Sequence, residues 1–153
     1  MSKKEWGNAT WFLFHTLAEK IDETYFTDNK TEFFHIIGLI CKNLPCPDCA
    51  EDAVIVLQGA RINNIQTKEH LKEFFFQFHN RVNTKLKKPI FNNDELIKYK
   101  SAISVKIMQH FLQHFFTRVY NEKMLMQSYS ANKIKGPIEK YLMDLFNNRH
   151  IAV

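Results

Sequence analysis

The clearest chemical potential in this chain lies in two cysteines separated by two residues, within the stretch Cys46-Pro47-Asp48-Cys49. Sulfurs at this spacing can close a small disulfide ring that is readily reduced and re-formed, and they can also bind a metal ion. Pro47 suits the first turn of a helix, where its missing N–H costs nothing. The unpaired N–H groups and the helix dipole at that end stabilise a negatively charged sulfur. The motif therefore predicts a redox-active or metal-binding dithiol at the start of a helix.

Three kinds of site contain such a dithiol. A structural zinc site needs four ligands, but the sequence has no second CxxC, and the H-x3-H pair His110 and His114 lies far beyond the dithiol. A thioredoxin-like fold needs strands alternating with helices, and no strand pattern surrounds the motif. We therefore predict no metal ligands and favour a dithiol that exchanges electrons with a bound redox cofactor. The alternative is a non-enzymatic helical protein that binds zinc or acts as a scaffold.

Length and composition favour one helical domain, with room for an appendage. The 153 residues include 14 phenylalanines but only four glycines and four prolines. Many short strands would need more of these turn-forming residues between them. The net charge of +5 suits a phosphate-bearing ligand or an acidic partner, but the scattered lysines are typical of a solvated surface, so we expect no nucleic-acid site. The N-terminus is polar and the apolar runs are short. We therefore expect a cytoplasmic protein without a signal peptide or a membrane span.

Hydrophobic spacing and capping residues predict helices along the whole chain. The predicted helices are one capped by Asn8, one from Thr31 to about Leu44, one from the CxxC to Gly59, one from Thr67 to about Lys87, a short one near Asp94–Lys100, a long one from Ser101 to about Met126, and a last one from Pro137 to about Asn147. A loop is expected at Thr27-Asp28-Asn29 and a break at Gly136-Pro137. The prediction is an all-α fold: a four-helix bundle plus a short fifth helix over residues 1–100, and a helical extension over residues 101–153. The extension either folds back on the bundle or forms an oligomer interface.

Two further stretches flank the dithiol: WGNATWFLFHT at residues 6–16 and FHNRVNTKLKKPIF at residues 78–91. Taken alone, each is explained by ordinary core packing of residues four apart on a helix. Together with the CxxC, their order and spacing over residues 6–91 resemble the FAD-dependent sulfhydryl oxidases of the Erv/ALR family. The resemblance is strongest to the small viral members from large cytoplasmic DNA viruses.

This resemblance implies a helical bundle that binds FAD without a glycine-rich loop. It implies that Cys46 and Cys49 are catalytic: electrons would pass from protein dithiols through the Cys46–Cys49 disulfide to FAD and then to O2, giving H2O2. It also implies a homodimer. The residues expected to bind the cofactor are Gly7, Trp11 and His15 on the first helix, Cys49 beside the flavin, and His79, Asn80, Val82, Asn83, Lys85 and Lys88 on and after the fourth, with both lysines at the phosphates or ribose.

The sequence departs from the family pattern at three positions. Asn92-Asn93 stands where many members have a structural cysteine, Lys20 where many have an aromatic residue, and Asp52 where a histidine is frequent. The separate shuttle cysteine pair of the longer members is also absent. We therefore expect the substrate to be another protein, such as a small thioredoxin-like carrier, whose thiols reach Cys46 directly. The remaining cysteine, Cys41, is expected to be a buried thiol that behaves as a small hydrophobe.

Overall fold

The computed structural model describes the backbone of residues 3–116 and 122–153, and the side chains of residues 4–116 and 133–153. Over these ranges the predicted all-α class is confirmed. The α-helices are α1 (Lys3–Lys20), α2 (Glu23–Asp28), α3 (Lys30–Lys42), α4 (Pro47–Gly59), α5 (Lys68–Lys85), α6 (Ser104–Phe116) and α7 (Glu122–Asn147). Two 3₁₀ segments, at Ile62–Asn64 and Asn93–Ser101, complete the described secondary structure.

The predicted four-helix bundle with a short fifth helix is formed by α1, α3, α4 and α5 and by the 3₁₀ helix Asn93–Ser101. Helix α1 packs against α5 and against this 3₁₀ helix, while α3 packs against α4. Phenylalanines fill the space between the helices: Phe14 of α1 stacks on Phe75 of α5 with ring centroids 5.0 Å apart, and Phe33 of α3 is fully buried beside them. Each such burial contributes about 1.5–3 kcal/mol to folding.

Capping residues fix the two helices that carry the predicted site. Thr67 is the N-cap of α5, as predicted, and its hydroxyl accepts a hydrogen bond from the His70 N–H at 3.1 Å. Cys46 is the N-cap of α4, with Pro47 in the first turn and Gly59 as the last helical residue. Both helices therefore begin where the sequence predicts, because a cap and a proline act locally.

Two helix starts were predicted wrongly. Helix α1 begins at Lys3, so Asn8 lies inside it instead of capping it. Helix α3 begins after Asn29 and not after Thr31, because the expected loop is occupied by α2. Asp22 starts α2 by accepting a hydrogen bond from the Tyr25 N–H at 2.8 Å. The short fifth helix is capped by Asn92.

The predicted break at Gly136-Pro137 is also wrong, because α7 continues through Pro137 to Asn147. An internal proline costs a helix about 3 kcal/mol. The side chains of Ile138, Leu142 and Leu145 lie on one face of α7 and are almost fully buried, and each burial returns about 1.5–3 kcal/mol. The long helix predicted from Ser101 begins three residues later, at Ser104, because Ser101 ends the 3₁₀ helix. The predicted continuation of this helix through residues 117–121 lies outside the described part of the chain.

The helices after residue 103 share the core of the bundle. Helix α6 packs along α1, and α7 packs against α6 and α3. Phe111 and Phe115 of α6 are completely buried in the same hydrophobic cluster as the phenylalanines of α1 and α5. The C-terminal tail then pairs with the end of α1 through an antiparallel bridge between Ile21 and Ile151. Within the described ranges, no helix combines the length and the apolar character needed to cross a bilayer.

Candidate functional site

A cavity of about 940 Å³ opens between α1, α4 and α5, and the side chains of Cys46 and Cys49 lie in its wall. Ligand pockets in proteins have volumes of about 300–1,000 Å³, so this one can hold a large organic cofactor. The sequence-predicted site residues that line it are Gly7, Trp11, Cys46, Cys49, His79, Val82, Asn83, Lys85 and Lys88. Residues predicted from three separate stretches of sequence therefore meet around one cavity.

The dithiol is held by the start of α4. Cys46 has extended backbone geometry as the N-cap, and its Sγ accepts a hydrogen bond from the Cys49 N–H at 3.3 Å. Both cysteines are half-buried. An N–H directed at the sulfur and the positive end of the helix dipole stabilise negative charge that develops on Cys46 Sγ during a reaction. The arrangement can therefore carry out thiol–disulfide exchange at the edge of the cavity.

The cavity has an aromatic wall built around Trp11. The Trp11 ring stacks on His79 with centroids 4.1 Å apart and planes 4° apart. It meets the edge of Phe78 at 5.2 Å and 86°. All three side chains line the cavity. Flat, weakly polar surfaces of this kind suit a planar ring system.

His15 lies behind this wall and forms a part-buried hydrogen bond with His79, with His15 Nε2 2.9 Å from His79 Nδ1. Burial, together with the neighbouring His79 and Lys98, lowers the pKa of His15 to about 3. Burial likewise lowers the pKa of His79 to about 4, with contributions from Lys98 and Lys88. Both imidazoles are therefore neutral at pH 7, so one nitrogen of the pair donates and the other accepts.

His15 itself does not line the cavity. Its ring stacks on Phe91 at 5.2 Å and lies 5.1 Å from Tyr99. The structure thus places His15 one layer deeper than the direct cofactor contact that the sequence predicts. From there it supports the ring of His79.

Asn80 also lies outside the cavity lining. Its Nδ2 donates a hydrogen bond to the Phe91 carbonyl at 3.0 Å, and its Oδ1 accepts one from the Phe91 N–H at 2.7 Å. These two bonds tie the segment after α5 back onto the helix. They hold the Phe91 ring against His79, with centroids 4.7 Å apart.

Basic side chains line the cavity from α5 and the segment after it. Arg81, Lys85 and Lys88 are exposed lining residues. Lys85 forms an ion pair with Asp52 of α4, and the hydrogen bond to Asp52 raises the pKa of Lys85. Asp52 thus joins α4 to α5. Lys88 is held through its backbone, whose N–H donates to the Asn83 carbonyl at 2.8 Å.

Sequence reasoning missed several residues of the site. Trp6, Phe14, Phe78 and Phe91 line the cavity, and each stands within or beside a stretch that was singled out. The Lys98 ammonium lies 5.3–5.9 Å from the ring centroids of Phe12, Phe91 and Tyr99. Nothing in the sequence pointed to Lys98, because it belongs to the separate 3₁₀ helix.

The remaining cysteine, Cys41, is buried at the end of α3, and burial raises the pKa of its thiol to about 12. It also contributes to the cavity wall.

Lys20 lies at the C-terminal end of α1, where its carbonyl accepts a hydrogen bond from the Ala152 N–H. In the part of the chain with described side chains, no three His, Cys, Asp or Glu residues are grouped so that they could hold a metal ion.

Residues 8–104 of the chain match the model of a protein family described as the Erv1 / Alr family. The FAD-linked sulfhydryl oxidase ERV1 of Oryza sativa subsp. japonica is 31% identical over 93 residues, which are 60% of this chain and 46% of the rice protein. A protein of Invertebrate iridescent virus 3, 096R, whose name is that of an FAD-linked sulfhydryl oxidase, is 32% identical over 87 residues, 56% of this chain and 59% of the viral one.

A second viral relative, "Probable FAD-linked sulfhydryl oxidase FPV093" of Fowlpox virus (strain NVSL), is 28% identical over 102 residues, 67% of this chain and 96% of its own length. The chain spans about half the length of the rice and iridescent-virus relatives. No solved structure matches it significantly.

Proposed function

The chain belongs to the Erv1/Alr family, and on that premise we propose that it is an FAD-linked thiol oxidase that introduces disulfide bonds into protein substrates. The net reaction is a dithiol plus O2 giving a disulfide plus H2O2. One observation carries the proposal: the Cys46–Cys49 pair lies in the wall of an aromatic cavity whose lining also bears basic side chains.

The residues present fit FAD. The stacked pair Trp11 and His79 offers a flat surface for a planar ring, and Arg81 and Lys88 offer positive charge for a pyrophosphate. Gly7, Val82 and Asn83 complete the lining that would hold the cofactor, with His15 and Asn80 behind it. Bound FAD would supply what the side chains lack, the ability to take two electrons from the dithiol and pass them to O2.

The chemistry of the dithiol itself follows from its place on α4. A substrate thiolate attacks Cys46 in the oxidised pair, so that a mixed disulfide forms and Cys49 leaves as a thiolate. The second substrate thiol then attacks the mixed disulfide and releases Cys46. The Cys49 N–H, which points at Cys46 Sγ, stabilises the negative charge that develops there. Two electrons and two protons leave the substrate in this exchange.

The neutral histidine pair gives the cavity an uncharged wall. A protonated His79 beside Lys88 and Lys98 would add positive charge to a poorly solvated site, and burial together with those lysines prevents it. His15 keeps His79 in place through the 2.9 Å hydrogen bond. The stacking surface therefore keeps one charge state throughout the neutral pH range.

The resemblance and the viral relatives support three finer proposals. The chain is a homodimer, its substrate is a dithiol protein such as a small thioredoxin-like carrier, and it acts in the cytoplasm of a host cell or in a virion. Light scattering during size-exclusion chromatography measures the first of these. A chain that elutes as a monomer at high micromolar concentration contradicts the dimer without affecting the oxidase.

Purification and an oxygen electrode test the oxidase proposal. The purified protein should be yellow after desalting and should consume O2 when dithiothreitol is added. Cys49→Ser should abolish O2 consumption and leave the flavin bound, since a serine of similar size keeps the cavity wall. Colourless protein that carries stoichiometric zinc would contradict the proposal and favour the non-enzymatic alternative.

A further inference from the structure

Three of the exposed large hydrophobic side chains are gathered at the cavity. Ile55 of α4 is 50% exposed, and Leu86 and Ile90, which follow α5, are 38% and 62% exposed. All three line the cavity that contains Cys46 and Cys49. We call these three residues the apolar rim. Exposed apolar side chains collected at one site, instead of scattered singly, are typical of an interaction surface.

Charged residues border the apolar rim on both sides. Asp48 and Glu51 lie on α4, two turns and one turn before Ile55 respectively, while Arg81 lies on α5 and Lys88 in the segment after it. All four are exposed. An apolar centre within a polar border is the usual anatomy of a protein-binding patch.

The apolar rim is also held in a fixed shape. The segment that carries Leu86 and Ile90 is tied down at its far end by the two hydrogen bonds between Asn80 and Phe91. At its near end, Lys85 is paired with Asp52 of α4. A surface that is already ordered before binding loses less entropy when a partner covers it.

The position of the apolar rim defines its occupant. A disulfide bond is about 2 Å long, so a protein substrate that reacts at Cys46 brings the residues beside its own cysteine to the cavity that Cys46 and the apolar rim both line. We propose that the apolar rim docks the protein substrate and selects dithiols that are flanked by apolar side chains. This inference rests on the proposed oxidase function and names the substrate class that it would take.

The test uses a reaction that needs neither flavin nor oxygen. In the Cys49→Ser protein, Cys46 attacks a peptide whose single cysteine carries a 2-thiopyridyl group; the peptide disulfide forms on Cys46 and one 2-thiopyridone is released and measured by absorbance. Two peptides of equal length and charge are compared, with leucine and phenylalanine or with serine and glutamine beside the cysteine. We expect the apolar peptide to react about tenfold faster at limiting concentration, because it buries apolar area on the rim.

The variant Ile55→Ser with Ile90→Ser, made in the same Cys49→Ser background, should bring the two peptides to nearly equal rates. Both side chains are at least half exposed, so the change leaves the folded core intact. The matched control is Ile97→Ser, since Ile97 is 61% exposed but does not line the cavity. That control should keep the preference for the apolar peptide.

Two results would overturn the inference. The first is equal rates for the two peptides before the rim is changed. The second is loss of bound flavin from the rim variant on desalting, which would mean that the rim covers the cofactor and not the substrate. A yellow protein that oxidises dithiothreitol but shows no peptide preference would contradict the docking surface and leave the oxidase proposal standing. A colourless protein that shows the preference would contradict the oxidase proposal and leave the docking surface standing.

Discussion

The imidazole of His15 lies directly behind that of His79, with Nε2 of the first 2.9 Å from Nδ1 of the second. Only His79 reaches the cavity. The two histidines therefore have different roles. His79 stacks on Trp11 at the cavity, and His15 holds the His79 ring in its orientation from the core side. His15 belongs to α1 and His79 to α5, so the wall of the cavity depends on the packing of these two helices.

The pair predicts a loss of stability in mild acid. The pKa values of His15 and His79 are lowered from 6.5 to about 3 and about 4, so between pH 6.5 and pH 4 the unfolded chain binds protons that the folded chain does not. The stabilising neutral state is fully present above pH 6.5 and is lost as the pH falls, at up to about 1.4 kcal/mol per pH unit for a deeply buried group such as His15.

Urea unfolding at about pH 7.5 and about pH 4.5 measures this loss. The variant His15→Phe should lose clearly less stability than the native chain between the two pH values, because other titrating groups are the same in both. His35→Gln, at an exposed position of α3, is the control and should keep the native difference. An equal loss in His15→Phe and native protein would contradict the buried-histidine account.

Asn80 is predicted to act on the cofactor through Phe91. Asn80→Ala removes both hydrogen bonds to the Phe91 backbone and should lower stability by about 1–3 kcal/mol. It should also weaken FAD binding, because the Phe91 ring is no longer held against His79. Asn80→Asp keeps the acceptor for the Phe91 N–H and should be intermediate.

Thermal melts with and without added FAD, and titration of FAD fluorescence, measure both effects. The control is Gln77→Ala, which removes only an exposed contact with Glu73 on the same helix. If Asn80→Ala bound FAD as the native chain does while being destabilised, Asn80 would be structural only.

The two lysines predicted to meet phosphate are expected to differ. Both lysines are exposed and line the cavity, but the Lys85 ammonium is engaged in an ion pair with Asp52. Lys88→Ala should therefore weaken FAD binding, roughly fivefold or more as expected for a charge-assisted contact, and Lys85→Ala should weaken it less. In an Asp52→Asn background, Lys85 is released and its removal should have a larger effect than before.

FAD dissociation constants of the Lys85 and Lys88 variants, measured across a range of salt concentrations, test whether the two lysines differ. The Lys88 effect should shrink as salt rises, because the contact is exposed and screened. Equal effects of Lys85→Ala with and without Asp52→Asn would show that the ion pair does not restrain Lys85.

Cys41 is predicted to resist alkylation in the folded protein. Its thiol is buried, and burial raises its pKa to about 12, so almost no thiolate exists at neutral pH. Iodoacetamide followed by mass spectrometry should modify Cys46 in the reduced native protein, and Cys41 only after denaturation. Fast labelling of Cys41 in the native state would contradict its place in the core.

Sequence was a good guide where the signal is local. Thr67 and Pro47 mark helix starts because a cap or a proline acts on its own turn. The dithiol and the two stretches that flank it in sequence meet at the cavity, as the resemblance implies. Sequence was a poor guide where packing decides. Pro137 stays inside α7 because the buried side chains beyond it outweigh its local cost.

The sequence also could not predict which residues of the site line the cavity and which lie behind it. His15 and Asn80 stand in the same two sequence stretches as residues that line the cavity, yet neither of them lines it. Which layer a helical residue occupies depends on the rotation of α1 and α5 against each other, and that is set by contacts such as the stack of Phe14 on Phe75. Likewise Lys85 could not be assigned to Asp52, because that pair joins two helices distant in sequence.

The central claim is that the electron pair of the reduced dithiol passes to FAD held in this cavity, and anaerobic reduction tests it most directly. Dithiothreitol added to the FAD-bound protein without oxygen should bleach the oxidised flavin absorbance in the native chain and leave it unchanged in Cys49→Ser, over the same time. Bleaching at the same rate in both proteins would show that electrons reach the flavin without Cys49, and it would contradict the account.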